Sequence, residues 1–419
     1  MSVQVPKGYQ QTEVGVIPSD WSLNRLVDLA EIRSGIAKNA NANITNPVSV
    51  YYLRVANVQD GFLDLSEMSH LLVSRDDIKR YAVMPNDMLM NEGGDLDKLG
   101  RGALWNGEFS PCIHQNHVFV VRCGKFLLPT YLKAWTGSTA ARRYFLLAGR
   151  QTTNLASINK TSLGLLPIPL PPNQAEQQAI AEALSDADAL IESLEQLIAK
   201  KRQIKQGAMQ ELLTGQRRLP GFSGEWAEIR LGDIAEFFKG KGLPKSHIIP
   251  DGSDACIHYG ELFTRYPEIV SEIFSRTNAE KDAFRSLAND VLMPTSDVTP
   301  RGLAKASCVC IDGVILGGDI LVIRPNKNEL NGSFLSYLIR QKEDMVLNLV
   351  TGSTVFHLYG SDMKRFIFRM PSIAEQNEIV SVLASMDAEI SGLENRLIKA
   401  RQIKQSMMQE LLTGRIRLL

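Results

Sequence analysis

The chain has 419 residues, 44% of them hydrophobic and 22% charged, and its 46 basic residues balance 46 acidic ones. This length predicts more than one domain, and the charge balance excludes a basic surface over the whole molecule. No apolar run approaches the length of a membrane span or of a signal segment, and the five scattered cysteines form no metal-ligand pattern. We therefore expect a cytoplasmic protein with reduced cysteines, no membrane contact and no metal site of its own.

The first part of the chain, residues 1–170, is predicted to form a mixed domain of strands and helices. β-Branched and aromatic runs predict strands near residues 50–55, 88–90 and 118–122, and the pattern predicts one helix over 129–147. A polar loop at 149–154 follows the helix. Four prolines between 167 and 172 stiffen the entry to the next segment.

Residues 171–218 contain a long helical segment that recurs at 371–419. The run Arg-Gln-Ile-Lys-Gln begins at 202 and again at 401, and Glu-Leu-Leu-Thr-Gly begins at 211 and again at 410, so the two copies lie 199 residues apart without a gap. About 40 helical residues at roughly 1.5 Å each would make a rod of roughly 60 Å. A repeat of fixed length is what a spacer requires, so we interpret both copies as spacer helices.

Both helices carry predicted caps. Asn173 with Glu176 fits a capping box, in which the first side chain and the carboxylate three residues later bind each other's backbone amides. Ser372 and Glu375 repeat this pair in the second copy. The glycines at 215 and 414 follow the last apolar residues and predict left-handed C-terminal caps.

An apolar seam runs along each helix in alternating steps of four and three residues, allowing for Ala187 in the first copy. The seam residues are Ile180, Leu184, Ile191, Leu194 and Ile198 in the first helix, and Ile379, Leu383, Met386, Ile390, Leu393 and Leu397 in the second. This spacing is typical of helices that pack on each other in a coiled coil. The alternative is that each helix packs only on its own domain.

The segment at 219–370 repeats the order of the first domain more loosely. The run after Trp226 echoes the run after Trp21, and Asn289-Asp290 echoes Asn86-Asp87, whereas the loops differ. We predict an α+β fold with a pseudo-two-fold repeat. It has two mixed α/β domains, residues 1–170 and 219–370, separated by two long antiparallel helices, residues 171–218 and 371–419.

The sequence contains no convincing catalytic motif. It has no glycine-rich dinucleotide motif, no phosphate loop and no nucleophile elbow. Asp95 and Asp97 could in principle bind a metal ion, but such acidic residues are more often solvated turn residues. We assign no catalytic and no metal-binding residue.

What remains is a set of basic and amide-bearing loop residues. In the first domain the candidates are Arg33, Lys38, Asn39, Arg54, Asn57, Lys98, Arg101, Arg150, Gln151, Thr152 and Asn154; in the second they are Lys239, Lys241, Lys245, His258, Tyr259, Arg301, Ser353, Thr354 and His357. Arginine, asparagine and glutamine read base edges, whereas lysine, serine and threonine more often hold phosphates. The alternative for any single residue is an ordinary solvated loop position.

The combination of motifs resembles the specificity subunit of type I restriction–modification enzymes. The resemblance rests on the proline-rich entry, the Glu-Gln helix start at 176 and 375, the heptad seam and the two repeated motifs at the helix ends. It covers both helical regions closely and the two domains in general layout. The loops carry no such signal.

This resemblance implies a non-catalytic subunit in a host-defence complex. Each of two target-recognition domains would read one half of a bipartite asymmetric site in double-stranded DNA, the first domain reading the 5′ part. The helix pair would set the spacing between the halves and dock two methyltransferase subunits, and restriction subunits would join them. S-adenosylmethionine, ATP and magnesium would bind those partners, with no cofactor on this chain.

Two other classes of protein could share part of this pattern. An enzyme with its own recognition domains would need a cofactor-binding domain of some 200 residues, and the repeats leave no room for one. A coiled-coil scaffold joining two protein-binding modules, without DNA binding, would share the helices. Binding to a bipartite duplex with strong salt dependence separates the DNA-binding class from the scaffold.

Overall fold

The computed structural model describes residues 5–38, 44, 46–94, 99–151, 156–278 and 282–418. Contacts group the chain into two compact units: Met1–Leu194 with Arg396–Leu419 form the first unit, and Glu195–Asn395 form the second. Each unit therefore contains one mixed domain together with part of each long helix. The division into four segments that the sequence suggested stays a prediction.

The first unit contains the mixed domain that precedes the first long helix. Its elements are β1 (Tyr9–Thr12), β2 (Gly15–Pro18), β3 (Ser22–Arg25), α1 (Leu26–Leu29), β4 (Ala30–Ser34), β5 (Val48–Leu53), β6 (Ser69–Val73), α2 (Arg75–Tyr81), β7 (Met88–Asn91), β8 (Gly93–Gly94), β9 (Gly102–Leu104), β10 (Cys112–His114), β11 (Val118–Cys123), α3 (Pro129–Thr136), α4 (Thr139–Ala148), β12 (Arg150–Gln151), β13 (Ala156–Ser157), α5 (Lys160–Gly164), β14 (Pro167–Leu170) and the start of α6 (Gln174–Leu212).

The central sheet of this domain is antiparallel, in the order β4-β11-β7-β9. In the register of β11 and β7, Phe119 pairs with Met90 and Val120 pairs with Leu89. Successive side chains of a strand point to opposite faces. Phe119 and Met90 accordingly enter one hydrophobic core, while Val120 and Leu89 enter another. Because the sheet is covered on both faces, its two inner strands, β7 and β11, are almost continuously apolar.

The second unit repeats this plan. Its elements are the end of α6, β15 (Ala227–Arg230), α7 (Leu231–Ile234), β16 (Ala235–Lys239), β17 (Asp254–Ile257), α8 (Glu261–Thr264), β18 (Ile269–Val270), β19 (Ser275–Thr277), β20 (Asp290–Pro294), β21 (Ser296–Asp297), a 3₁₀ helix (Pro300–Ala304), β22 (Ser307–Val309), β23 (Ile315–Leu316), β24 (Ile320–Pro325), α9 (Gly332–Gln341), α10 (Glu343–Leu347), β25 (Phe356–His357), α11 (Gly360–Met363), β26 (Ile367–Met370) and the start of α12 (Ile373–Leu411).

The main sheet of the second domain has the order β16-β24-β20-β22-β18. Val291 pairs with Ile323 and Leu292 pairs with Val322, and the two pairs again enter different cores on opposite faces. The shared sheet and its two-sided burial confirm the predicted α+β fold with a repeated domain.

Each unit packs parts of both long helices into its core. In the first unit, Ile180 and Leu184 at the start of α6 share a core with Leu411 and Leu412 at the end of α12. In the second unit, Met209 and Leu212 of α6 share a core with Ile379 and Leu383 of α12. The helices therefore pack on the domains as well as on each other, so both sequence alternatives hold in part.

Two local predictions were wrong. The predicted helix over 129–147 is broken between α3 and α4, because Gly137 ends α3 and the Ser138 side chain caps α4 by accepting a hydrogen bond from the Ala141 amide. The reciprocal capping box at Glu176 is also absent. The Asn173 side chain does accept from the Glu176 amide at 2.8 Å, but the Glu176 carboxylate binds an arginine instead.

The predicted left-handed caps are present. Gly215 and Gly414 have φ angles of +71° and +67°. A Cβ at Gly215 would lie 3.2 Å from the Trp226 ring, and one at Gly414 would lie 2.5 Å from Pro18. Gly215 therefore allows a tight turn against the second domain, and Gly414 allows one against the first domain.

Candidate nucleic-acid interface

Lysine replaces an apolar residue in the seam of each helix. In the second unit, Lys205 Nζ lies 2.5 Å from Asp387 Oδ1 and 3.6 Å from a Glu268 carboxylate oxygen. In the first unit, Lys404 Nζ lies 2.5 Å from Asp188 Oδ1. The two pairs are the same contact repeated 199 residues apart. In the second unit α6 supplies the lysine and α12 the aspartate, and in the first unit α12 supplies the lysine and α6 the aspartate.

The lysine pair of the second unit is the more buried of the two. The Lys205 side chain is 13% exposed, against 27% for Lys404. The Tyr337 hydroxyl donates to Asp387 Oδ2 at 2.6 Å, and burial together with this carboxylate raises the pKa of Tyr337. Tyr337 belongs to α9, so this network ties the helices to the second domain.

The glutamates that start both helices are buried and paired with arginines. Glu176 binds Arg417 at 2.5 Å in the first unit, and Glu375 binds Arg218 at 2.6 Å in the second. Hydrogen bonding to Glu176 raises the pKa of Arg417. Arginine suits this place because its planar fork meets both oxygens of a carboxylate. The Glu-Gln motif is therefore explained by packing of each helix start, rather than by ligand binding.

The predicted seam positions are buried to different extents. Ile180, Leu184, Leu194, Ile198, Ile379, Leu383, Ile390 and Leu393 are buried, and Ile191, Met386 and Leu397 are half-buried. A different face of the helix pair remains apolar and open. In the first unit, a groove of about 510 Å³ is lined by Ile403, Met407, Leu411 and Ile416, among others. Ile403 and Ile416 are 49% and 53% exposed.

A small ribbon brings together several candidates of the second domain. β21 pairs with β25, and Thr351 bridges to His357; we call these segments the second ribbon. Its loop presents Ser353 and Thr354, which are exposed. The 3₁₀ helix that carries Arg301 packs against both strands. The Arg301 side chain is 80% exposed and lies 3.2 Å from Glu343.

A second group of candidates surrounds Gly317 and the loop after it. The His258 and Tyr259 rings lie 4.8 Å apart, and the Gly317 amide donates to the Ile257 carbonyl. Lys239 lies 3.4 Å from Asp319, whose carbonyl accepts from the Thr295 amide beside the second ribbon. This group therefore continues the surface of the ribbon.

Two lysines of the second domain lie on exposed loops. Lys241 is 3.6 Å from Asp282, and both side chains are largely exposed. Lys245 begins a short 3₁₀ turn and is exposed. Ion pairs this exposed exchange easily for other partners, so Lys241 stays available to a phosphate.

The first domain has a matching ribbon. β8, β13 and β12 form a three-stranded sheet, which we call the first ribbon, and it presents the exposed Arg150. The strand β12 lies within the predicted loop at 149–154. The side chain of Gln151, together with Asn39, Lys98, Thr152 and Asn154, lies outside the described residues.

Two candidates of the first domain form hydrogen bonds inside the domain. Asn57 is 3% exposed, accepts from the Arg54 amide and donates to the Asp64 and Glu67 carbonyls. Its prediction as a DNA contact was wrong, because every polar atom of its amide is used inside the domain. Arg54 is half-buried, with Nη2 donating to the Glu67 carbonyl, and its role in DNA binding stays a prediction.

The other basic candidates of the first domain are partly exposed. Arg33 donates two hydrogen bonds to the Glu31 carboxylate, which lowers the pKa of Glu31. Arg101 lies 3.9 Å from Asp60 with its side chain 25% exposed. Lys38 is exposed at the edge of the described segment. Their role in DNA binding stays a prediction.

A search of known protein families gives a match that spans both repeats. The sequence profile of the type I restriction modification DNA specificity domain matches residues 18–201 and again 223–401. The chain belongs to this family.

Relatives and solved structures agree with this assignment. A protein provisionally named the MjaX type I restriction enzyme specificity subunit, from Methanocaldococcus jannaschii, is 25% identical over 98% of this chain and 97% of its own. The StySPI specificity subunit of Salmonella potsdam is 22% identical over 96% of this chain and 90% of its own. The fold matches the type I system S subunit of M. genitalium with a TM-score of 0.59, at 16% identity and 98% coverage of both chains.

In this member of the specificity-domain family, some exposed residues near the ribbons were not among the predicted candidates. The loop before β11 places Asn116 beside His117, whose Nδ1 lies 2.6 Å from a Glu92 oxygen next to the first ribbon. Val298 and Val355 stand exposed at the second ribbon. A polar triplet directly before a strand could have indicated the first loop. Valines gave no signal, because the sequence does not show that they face solvent.

Among the described residues, no helix is apolar over a membrane-spanning length, and no three His, Cys, Asp or Glu side chains gather as a metal site.

Proposed function

We propose that this chain is the DNA sequence-specificity subunit of a type I restriction–modification complex. Each domain reads one half of a bipartite, asymmetric site in double-stranded DNA. The observation that carries this proposal is the match of the DNA specificity domain to both repeats of the chain. It favours DNA recognition over a coiled-coil scaffold that binds only proteins.

The geometry of each domain supports this role. Both domains carry a small ribbon at equivalent places, three-stranded in the first domain and two-stranded with a bridge at Thr351 in the second. The loops of the two ribbons differ in sequence. Protein ribbons can enter the major groove, where base edges carry a distinct pattern for each base pair. A shared frame with unlike loops suits two readers of unlike half-sites.

The helix pair sets the spacing between the half-sites in this proposal. Each helix has 39 residues, about 58 Å at 1.5 Å per residue. The paired lysines and glutamates repeat in both units, so the register of the two helices is fixed in the same way twice.

Two methyltransferase subunits dock on the helix pair, and restriction subunits complete the assembly. The open apolar groove beside Ile403 and Ile416 offers a surface for such a subunit. S-adenosylmethionine, ATP and magnesium bind to those partner subunits, and the complex works in the cytoplasm. The chain itself takes no catalytic role and supplies recognition.

Domain exchange tests the proposal. The chain is produced with its methyltransferase partner in a host, and methylated sites are mapped by sequencing. Residues 1–170 are then replaced by the corresponding domain of another family member. We expect one half of the methylated site to change and the other half to persist. A change in both halves, or a complex that binds no bipartite duplex, contradicts the proposal.

A further inference from the structure

Two exposed valines directly adjoin the paired residues of the second ribbon. Val298 is 72% exposed and Val355 is 43% exposed. The ribbon pairs Ser296 with His357 and Asp297 with Phe356, so continuing that register by one residue sets Val298 opposite Val355. Single exposed apolar residues are common on protein surfaces, whereas two on one tip form a small apolar patch.

The loop that carries Val298 is held from below by Asp297. One carboxylate oxygen of Asp297 accepts from the Val298 amide at 2.7 Å, and the other accepts from the Thr299 hydroxyl at 2.8 Å. The same carboxylate covers Gly302, where a Cβ would lie only 1.7 Å from it. Asp297 is therefore used inside the turn.

The loop that carries Val355 is equally constrained. Gly352 has a φ of +111°, and a Cβ there would lie 2.2 Å from the Val355 carbonyl oxygen. Thr351 and His357 exchange backbone hydrogen bonds of 3.0 and 2.7 Å. Because both loops are ordered before any ligand arrives, little conformational entropy is lost when the tip binds.

The chemistry around the valines suits a nucleic acid. Ser353 and Thr354 are exposed beside Val355. On the neighbouring 3₁₀ helix the Arg301 side chain is 80% exposed and pairs with Glu343 at 3.2 Å. Small hydroxyl side chains and one arginine match phosphates and base edges. The apolar area is limited to two short side chains, less than a stable protein interface requires.

In the major groove, the apolar group that a base pair offers is the C5-methyl of thymine. We propose that Val298 and Val355 contact thymine methyl groups and so select T·A pairs in the half-site read by the second domain. This inference rests on the proposed function and assigns specificity to two residues of that same surface.

The test replaces thymine by deoxyuridine, which keeps the base pair and removes the methyl group. The full chain with its methyltransferase subunits is titrated with duplexes of its mapped site, in which each thymine of the second half-site is replaced in turn. At one or two positions we expect the affinity to fall about fourfold, which corresponds to about 0.8 kcal/mol for one buried methyl group.

Val298→Ala and Val355→Ala then identify the contact. Each variant should bind the thymine duplex about fourfold more weakly and lose its response to deoxyuridine at one position. Val27→Ala is the matched control, since Val27 is a 58% exposed valine of the first domain. This control should keep the full response in the second half-site.

Several results would overturn the inference while leaving the proposed function intact. The unaltered complex could bind its site without responding to any deoxyuridine, or the half-site could contain no T·A pair. The alanine variants could keep the response to deoxyuridine. They could also weaken assembly with the methyltransferase while the response to deoxyuridine stays the same, and the valines would then belong to a protein interface. Failure of the unaltered complex to bind any bipartite duplex would instead overturn the proposed function.

Discussion

Lys205 and Asp387 form an ion pair of 2.5 Å inside the seam of the second unit, and Lys404 and Asp188 form the same pair in the first unit. A charged pair within an apolar seam is a known way to fix helix register, because any shift leaves the charges without partners. The repeat of this pair explains how two helices of equal length keep a defined alignment.

Replacing Lys205 by methionine should destabilise the protein by about 1–3 kcal/mol, because Asp387 and Glu268 would lose their shared cation in a poorly hydrated place. Lys404→Met is the matched control. Its partner Asp188 is 51% exposed, so we expect a loss below about 1 kcal/mol. Denaturant unfolding of both variants measures the difference, and equal losses would contradict the unequal burial of the pairs.

Arg417→Met should destabilise the first unit by about 2–3 kcal/mol, because the Glu176 carboxylate is fully buried and would keep an uncompensated charge. Adding Glu176→Gln removes that charge and should restore part of the loss. Arg415→Met is the control in the same tail, since its pair with Glu410 is exposed at 58% and 35%. Thermal unfolding measures the stability of the three variants. If the effects of Arg417→Met and Glu176→Gln simply add in the double variant, the two side chains are not energetically coupled.

His114 should make the first domain less stable in mild acid. Burial lowers the pKa of His114 to about 4, from an ordinary value of 6.5. As the pH falls below 6.5, His114 binds a proton in the unfolded chain but not in the folded chain. Stability therefore declines down to about pH 4, by up to about 1.4 kcal/mol per pH unit.

The variant His114→Leu cannot take up this proton, so its stability should depend less on pH between 6.5 and 4.5. Unfolding free energies at several pH values measure this dependence. His70→Gln, at an exposed histidine, should keep the dependence of the unaltered protein. If His114→Leu keeps it as well, the decline comes from other groups.

A matched deletion in both helices tests the spacer role. Removing residues 187–193 of α6 and 399–405 of α12 takes away two turns from each helix, about 10.5 Å, together with the whole Lys404–Asp188 pair. The heptad phase is kept. At about 3.4 Å per base pair, the gap in the methylated site should shorten by about 3 base pairs.

Deleting residues 187–193 alone should break the register and abolish the methylated complex, since Lys404 loses its partner and the seams no longer match. Methylation mapping distinguishes the cases. An unchanged gap after the matched deletion would contradict the spacer role.

Much of this fold could be predicted because its signals are local. The apolar runs of β7 and β11, the seam of the long helices and the glycines at 215 and 414 all depend on neighbours within a few residues. The break between α3 and α4 was missed because the apolar pattern continues across it, while one serine side chain at 138 caps the second helix.

The candidate surface was predicted less well, because a residue type does not show which way its side chain points. Asn57 resembled a base-reading amide, yet its hydrogen bonds hold a turn. Val298 and Val355 were not among the candidates, yet they face solvent on a ribbon. Exposure is set by strand register and loop closure between distant segments.

The amino-acid sequence by itself determined the repeat, the length and phase of the two helices, and the family, because these are properties of spacing along one chain. Only the tertiary structure decided the partners of Glu176 and Lys205, which lie 241 and 182 residues away. Such pairs form when folding buries a charge and leaves one cation within reach, so no local pattern in the sequence records them.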